Sequence, residues 1–357
     1  MELQRGSLAD LERVIMRVLV TGSLGYIGTI LLPMLQQRNH EVVGVDTDLY
    51  QRCTFSGKLS DIHTIHTDVR DLHPDDLAGY DAVIHLAGLS NDPLGDYRPE
   101  LTEEINAAAS VKLADMAKAA GVKRFLFASS CSNYGAAGDQ FLAESADFNP
   151  VTPYGVSKVK VEAALTKMAD KNFSPTYLRA STAYGLSPRL RFDLVTNNLT
   201  AWAFTTGRVY LKSDGSPWRP IVHVEDIARA YIAVLEASRE LIHDEAFNVG
   251  TTTENYQMSE IADMVKEVVP GCKIEYAPDA GPDKRCYRVD CNKIARILKD
   301  FKPQWTARRG IEQLFNAYKE TGLTLEEFEG PKYKRIAHVK KLVDDGRLDK
   351  NLRWTQR

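Results

Sequence analysis

The stretch TGSLGYIG, Thr21–Gly28, follows the apolar run Val14–Val20 near the start of the chain. Its glycines lie between a predicted strand and a predicted helix, an arrangement typical of a dinucleotide-binding turn. Gly22 allows the tight turn, Gly25 lets the backbone approach a pyrophosphate, and Gly28 lets the helix pack on the strand. The N-terminus of that helix would face the phosphates with the positive end of its dipole. The turn residues expected to contact the dinucleotide are Gly22, Leu24, Gly25, Tyr26, Ile27 and Gly28.

Two acidic residues follow the next two predicted strands. Asp46 ends the strand Glu41–Asp46, at the place where a carboxylate hydrogen-bonds the adenosine ribose hydroxyls. A carboxylate there repels a 2′-phosphate, so the sequence predicts NAD rather than NADP as cofactor. Asp68, which precedes Val69, is a candidate for binding the adenine amino group, and an ordinary loop acid is the alternative.

Short apolar runs and helical stretches alternate along the first half of the chain. This alternation predicts an α/β fold with a mostly parallel sheet and helices on both faces. The later, less regular segments predict a smaller C-terminal α+β lobe, and the substrate should lie between sheet and lobe. The predicted strands are Val14–Val20, Glu41–Asp46, His63–His66, Ala82–Leu86, Arg124–Ser129, Thr176–Ala180 and Ala246–Val249.

A tyrosine and a lysine four residues apart, Tyr154 and Lys158, occupy one face of a predicted helix. A free tyrosine has a pKa near 10 and is a poor base at neutral pH. The ammonium group one turn away favours the phenolate form and can also hold a nicotinamide ribose. Ser130 follows the predicted strand Arg124–Ser129, and its hydroxyl can bridge a sugar oxygen and the tyrosine.

Together these motifs resemble the extended short-chain dehydrogenase/reductase family, within it the nucleotide-sugar epimerases, dehydratases and reductases. The resemblance runs from about Arg17 to about Tyr318 and implies a Rossmann-type doubly wound sheet that binds NAD. The segments that carry it are the glycine turn, Asp68-Val69, His85–Gly88, Ser129–Gly135 and Tyr154–Lys158.

The resemblance also implies roles for individual residues. It assigns Ser130, Tyr154 and Lys158 to catalysis, and Asn106 to support of the proton network and the nearby backbone. It adds Val69, Leu86 and Ala87 to the cofactor-binding residues. The implied contacts to a nucleotide-diphosphate sugar are Ser90, Ser130, Ser132, Thr182, Asn198, Arg219 and Arg285, of which Arg219 suits the diphosphate because guanidinium binds such anions in bidentate fashion.

One departure from the family narrows the reaction. Sugar 4,6-dehydratases carry an Asp-Glu pair just after the catalytic threonine, whereas this chain has Cys131 and Ser132 there. The prediction is therefore an NAD-dependent nucleotide-sugar epimerase, acting at C4 through a transient 4-keto sugar. The alternatives are a nucleotide-sugar 4-ketoreductase or dehydrogenase, which needs the same groups, and a catalytically silent dinucleotide-binding protein.

The net charge and composition of the 357-residue chain argue against nucleic-acid and membrane partners. A net charge of −3 gives no reason to expect nucleic acid or an anionic membrane as partner, and no apolar run approaches the length of a membrane span. Five cysteines without CxxC spacing argue against a disulfide scaffold or a metal site and favour the cytoplasm. The helices at 101–120 and 153–171 are predicted to pair in a homodimer, as in related enzymes.

The expected domain organisation follows from these elements. Residues 14–188 form the NAD-binding domain, with 221–250 returning to it, and residues 189–220 and 251–330 form the substrate-binding lobe. Residues 331–357 carry many cations, including Lys340 and Lys341, and are expected to be a solvated basic helix or tail.

Overall fold

The computed structural model describes residues 15–90, 92–135, 140–281 and 286–356. Apolar runs rich in β-branched and aromatic residues form its strands. The strands are β1 (Arg17–Thr21), β2 (Glu41–Asp46), β3 (Thr64–His66), β4 (Ala82–His85), β5 (Arg124–Ser130), β6 (Phe141–Leu142), β7 (Ser174–Ala180), β8 (Thr182–Tyr184), β9 (Arg208–Ser213), β10 (Trp218–His223), β11 (Glu245–Val249), β12 (Asn255–Gln257), β13 (Lys273–Gly281) and β14 (Arg288–Val289).

Helices follow most of these strands. They are α1 (Gly28–Gln37), α2 (Asp92–Tyr97), α3 (Pro99–Thr102), α4 (Ala109–Ala119), α5 (Pro153–Met168), α6 (Val195–Thr206), α7 (Val224–Glu236), α8 (Arg239–Ile242), α9 (Met258–Val268), α10 (Asn292–Ile297), α11 (Ala307–Thr321), α12 (Leu325–Glu329) and α13 (Arg335–Asp344). Within the described residues, no helix has the length and apolar character needed to cross a membrane.

The central sheet has seven parallel strands in the order β11-β7-β5-β4-β1-β2-β3. Successive side chains point to opposite faces, so Val18 and Val20 of β1 pack with α1 and α7 while Leu19 packs with α4 and α5. Both faces are thus buried under helices, which confirms the predicted doubly wound fold. The order in which strands are added to the sheet reverses between β1 and β4, and such sheets bind ligands at this point, beyond the carboxyl ends of their strands.

The smaller lobe contains a three-stranded sheet, β12-β10-β8, and the parallel pair β13-β9. Helices α6, α9 and α11 pack on these strands through an apolar cluster that includes Leu199, Val209, Leu211, Ile261 and Ile311. Strand β9 shows the period of two that a half-buried strand requires, since Val209 and Leu211 are buried and their neighbours are less so.

The region after residue 331 differs from the expected solvated helix or tail. Helix α13 and the following residues bury Val339, Leu342, Leu348 and Leu352 against Leu49 and its neighbours at the end of β2. The basic residues lie between these apolar positions, so the prediction of a solvated segment from charge was wrong. The segment packs on the half of the molecule that contains the central sheet.

Candidate functional site

A cavity of about 1260 Å³ opens at the carboxyl edge of the central sheet. The loops after β1, β2, β3, β4, β5 and β7 supply its wall on one side, and the smaller lobe supplies the other. The predicted residues that line it are Gly22, Leu24, Gly25, Tyr26, Ile27, Gly28, Asp46, Asp68, Val69, Leu86, Ala87, Ser90, Ser130, Ser132, Tyr154, Lys158, Thr182, Asn198 and Arg219.

The glycine turn has the shape of a dinucleotide cradle. Gly22 has a φ of +72°, and a Cβ there would lie 2.7 Å from the Ala87 nitrogen. A Cβ on Gly28 would lie 2.4 Å from the Gly22 carbonyl oxygen. Only glycine lets α1 begin this close to the loop, so the helix N-terminus faces the cavity.

Asp46 is held beside this turn at the end of β2. Its Oδ2 accepts a hydrogen bond from the Leu24 nitrogen at 2.9 Å, and its Oδ1 accepts one from the Asp48 nitrogen at 2.7 Å. Burial raises the pKa of Asp46, although both hydrogen bonds oppose that shift. The carboxylate is fixed in the cavity wall, where it fits the predicted role of binding ribose hydroxyls.

Asp68 follows β3 and is engaged by its own loop. Its two oxygens accept from Arg70 through the backbone nitrogen at 2.9 Å, Nε at 2.9 Å and an Nη at 2.7 Å. Burial works to raise the pKa of Asp68, but these bonds and the charge of Arg70 outweigh it and lower that pKa. The geometry shows a helix-capping ion pair, and an adenine contact by Asp68 stays a prediction.

The three catalytic candidates meet in the cavity from two elements. Ser130 ends β5, and its Oγ donates to the Ser132 Oγ at 3.0 Å. Tyr154 and Lys158 lie in the first turns of α5, whose N-terminus is capped by Thr152 through the Gly155 nitrogen at 3.2 Å. The Lys158 Nζ lies 5.4 Å from the centroid of the Tyr154 ring. The phenol and the ammonium group therefore lie in the same corner of the cavity.

Asn106 supports the cavity from behind. It lies in a π-helical turn, Glu103–Ala108, within the helical run from α3 to α4. Its Oδ1 accepts from the Leu89 nitrogen at 2.7 Å, and its Nδ2 donates to the Leu89 carbonyl at 3.0 Å. This pair of bonds fixes the loop after β4, which carries Leu86 and Ala87. Asn106 is thus placed as a positioning residue.

The predicted substrate contacts lie on both sides of the cavity. Ser90 accepts from Arg191 at 3.2 Å, and the Asn198 Nδ2 donates to the Phe192 carbonyl at 2.8 Å. Arg219 on β10 donates to the Trp218 carbonyl at 2.9 Å and is buried in the wall. Arg285 lies outside the described residues.

Sequence reasoning missed two ion pairs near the catalytic candidates. Arg191 lines the cavity, donates a hydrogen bond to the Ser90 carbonyl and forms an ion pair with Asp193 at 2.6 Å. Glu162, one turn after Lys158, pairs with Arg179 at 2.6 Å and accepts a hydrogen bond from the Ser129 hydroxyl. A glutamate on the same helix face as Lys158 was a visible signal, but its partners come from distant strands.

Comparison with known proteins identifies a family and several relatives that this chain resembles. The profile of the NAD dependent epimerase/dehydratase family matches residues 18–250. A UDP-glucose 4-epimerase of Corynebacterium glutamicum is 26% identical over 315 residues, which are 83% of this chain and 93% of that protein. UDP-glucuronic acid decarboxylase 1 of Arabidopsis thaliana is 25% identical and is aligned over 88% of this chain and 72% of its own length.

Solved structures show the same architecture. MoeE5 in complex with UDP-glucuronic acid and NAD superposes with a TM-score of 0.74 at 27% identity. That match covers 85% of this chain and 99% of MoeE5. Almost the whole of MoeE5 is therefore matched, whereas part of this chain has no counterpart in it.

The position of Asp46 predicts the cofactor preference. A 2′-phosphate would meet a fixed carboxylate, and like charges placed together cost several kcal/mol, so we expect NAD to bind roughly 100-fold more tightly than NADP. Calorimetric titration of the cofactor-free protein with each dinucleotide measures the ratio of the two dissociation constants. The Asp46→Ala variant should bring that ratio closer to one. Equal dissociation constants for the two dinucleotides would contradict the assignment.

Lys158 predicts the pH dependence of catalysis. Burial lowers the pKa of Lys158 to about 8, with the charge of Glu162 opposing the shift. The ammonium that favours the phenolate of Tyr154 is present below that pH and is lost above it. We expect kcat/KM to fall as the pH rises through about 8, and Lys158→Arg to keep its rate to higher pH because guanidinium stays charged. A wild-type profile that stays flat through that range would show that the charge has no such role.

Proposed function

The chain belongs to the NAD-dependent epimerase/dehydratase family, and we propose that it is a nucleotide-sugar epimerase that inverts C4 through a transient 4-keto sugar. The observation that carries this proposal is the convergence of Ser130, Tyr154 and Lys158 on the cavity that the glycine turn enters. The Corynebacterium glutamicum relative is a UDP-glucose 4-epimerase, which supports a UDP-sugar as the substrate class.

The residues present fit NAD. The turn Gly22–Gly28 and the N-terminus of α1 would hold the pyrophosphate, Asp46 the adenosine ribose, and Lys158 the nicotinamide ribose. When bound, NAD supplies the oxidant that takes a hydride from the sugar carbon and later returns it. Every other part of the reaction falls to side chains of the chain itself.

Tyr154 acts as the base and then as the acid. Its phenolate takes the proton of the C4 hydroxyl while the hydride leaves that carbon, which gives the ketone. Ser130 donates a hydrogen bond to the same sugar oxygen and holds it beside Tyr154. After the ketone presents its opposite face, Tyr154 returns the proton as the hydride comes back. Lys158 stabilises the phenolate through its charge.

Elimination and decarboxylation need an additional acid or base that this site lacks at the expected positions. Cys131 is fully buried, its Sγ donates to the Arg179 carbonyl at 3.1 Å, and burial raises its pKa well above the usual value. Ser132 bonds to Ser130. Neither residue can do the work of the Asp-Glu pair of the sugar 4,6-dehydratases.

The runner-up reaction is 4-keto reduction or alcohol dehydrogenation with net consumption of cofactor. It uses Ser130, Tyr154 and Lys158 in the same way, so the fate of the cofactor separates the two reactions. An epimerase keeps its NAD and needs none added, whereas a reductase needs stoichiometric cofactor. A catalytically silent protein would retain the dinucleotide and convert no sugar.

The experiment that tests the proposal combines cofactor analysis with a substrate panel. Mass spectrometry of the purified protein should find bound NAD, and UDP-sugars should be converted to their C4 epimers without added cofactor, as followed by NMR. Tyr154→Phe should lower the rate by ~10²–10⁴-fold, since it removes a positioned acid–base group. Tyr276→Phe, a change at an exposed tyrosine outside the cavity, is the matched control.

Two outcomes would overturn the proposal. Near-normal turnover by a Tyr154→Phe variant that is folded and binds NAD would show that Tyr154 is not the base and acid of the reaction. Conversion that requires one added cofactor per sugar would assign the runner-up reaction instead.

Assembly and compartment belong to the same proposal. The run 101–119 and helix α5 are long and rich in small residues, and Val156 on α5 is 37% exposed, which supports their pairing across a homodimer. The five cysteines are all free thiols, which supports a reducing cytoplasm.

Light scattering at micromolar concentration tests the homodimer and should give twice the monomer mass of 39.9 kDa. Val156→Arg should shift the measured mass toward that of the monomer. A monomer mass for the wild type would refute the assembly and leave the chemistry untouched.

A further inference from the structure

The C-terminal strap, residues 335–356, lies against the loops that follow β2 and β3. It consists of α13 and an irregular segment closed by a β-bridge between Leu348 and Trp354. Its apolar side chains are buried with Leu49, Leu89 and Leu94. The strap is thus part of the packed structure on the side of the sheet where the dinucleotide turn begins.

Both loops are hydrogen-bonded to the strap, the loop after β2 through backbone carbonyls and the loop after β3 through the side chain of Arg70. Trp354 donates its indole Nε1–H to the Thr47 carbonyl at 2.6 Å, and the His338 Nε2 lies 3.0 Å from the Leu49 carbonyl. Arg70, the partner of Asp68, donates to the Asn351 carbonyl at 2.9 Å. The strap is therefore fixed to the residue that directly follows Asp46 and to the ion pair that follows β3.

The strap also borders the cavity itself. Arg335 and Leu352 line the large cavity beside the glycine turn and Asp46. Arg353 and Trp354 line an adjoining space of about 230 Å³, whose other walls are Thr47, Thr67, Asp68 and Asp71. The two spaces share Thr47, Thr67 and Asp68, so they adjoin each other beyond the ends of β2 and β3, and the strap borders this opening.

This opening is the place for the adenosine half of a dinucleotide. In open α/β sheets the adenosine ribose lies at the end of the second strand, where Asp46 is fixed, and the adenine lies beyond it toward the third. Arg335 adds a cation to this wall, with its guanidinium carbon 4.1 Å from the centroid of the Tyr50 ring. The cation suits an anionic ligand.

We propose that the strap is a wall of the adenosine half of the NAD site, that Trp354, Leu352 and Arg335 are cofactor-binding residues, and that the strap slows release of NAD. The inference rests on the proposed function in one respect, the binding of NAD at the glycine turn. An epimerase must return the hydride to the sugar from which it came, so slow cofactor release serves that reaction directly.

Exchange of bound NAD tests the strap without any sugar substrate. The purified holoenzyme is mixed with an excess of isotopically labelled NAD, and the labelled fraction of protein-bound NAD is followed by mass spectrometry. Trp354→Ala should exchange about tenfold faster than wild type, because it removes the bond to Thr47 and the ring that lines the opening. Lys341→Ala, a change on the exposed face of α13, should exchange at the wild-type rate.

A conservative variant keeps the test valid if Trp354→Ala fails to fold. Trp354→Phe retains an aromatic ring and removes only the donor to Thr47, so it should exchange faster than wild type by a smaller factor. Thermal unfolding of each variant confirms that the fold is intact. Wild-type exchange rates in folded Trp354 variants would overturn the proposal and reduce the strap to a packing element.

Failure of the two proposals can be told apart. If the strap variants exchange NAD faster while the wild type converts no UDP-sugar, the strap assignment stands and the epimerase assignment falls. If the wild type epimerises UDP-sugars with its own NAD while the strap variants exchange at its rate, only the strap assignment falls.

Discussion

The absence of a Cβ at Gly22 and Gly28 is the constraint on which the site depends. Each backbone passes so close to its neighbours that a methyl group would lie 2.4–2.7 Å from main-chain atoms. This close approach lets α1 begin at the edge of β1, next to the loop after β4, and brings the Leu24 nitrogen to Asp46. The phosphate and ribose contacts proposed for the helix N-terminus and Asp46 would therefore both follow from one steric condition.

The catalytic corner depends on a second condition, the distribution of buried charge. Glu162 shares the helix face of Lys158, and a direct pair between them would neutralise the ammonium. Glu162 instead forms its ion pair with Arg179 and bonds the Ser129 hydroxyl, which fixes the strand end that carries Ser130. Lys158 lies beside the ring of Tyr154, and burial lowers its pKa to about 8 against the opposing charge of Glu162.

Patterns local in sequence predicted most of the sheet and the site. The expected strand Glu41–Asp46 has the bounds observed for β2, and the motif of Tyr154 and Lys158 falls in the first turns of α5. Features made by distant segments were missed: Arg191 meets Ser90 only after the chain has folded, 101 positions apart. The packing of the strap was not predicted for the same reason. Its apolar residues stand among cations, and their partner Leu49 belongs to the other end of the chain.

The strap joins segments that are far apart in sequence, and this has a consequence for biosynthesis. The bonds from His338 to Leu49 and from Trp354 to Thr47 join residues 289 and 307 positions apart. A ribosome that adds about 5–20 residues per second needs roughly 15–60 s to make such a stretch. During that interval the nascent chain already contains the glycine turn and Asp46 but has no strap over the adenosine end. Vectorial synthesis thus leaves the completion of this pocket to a late, long-range docking step, after the central sheet has been made.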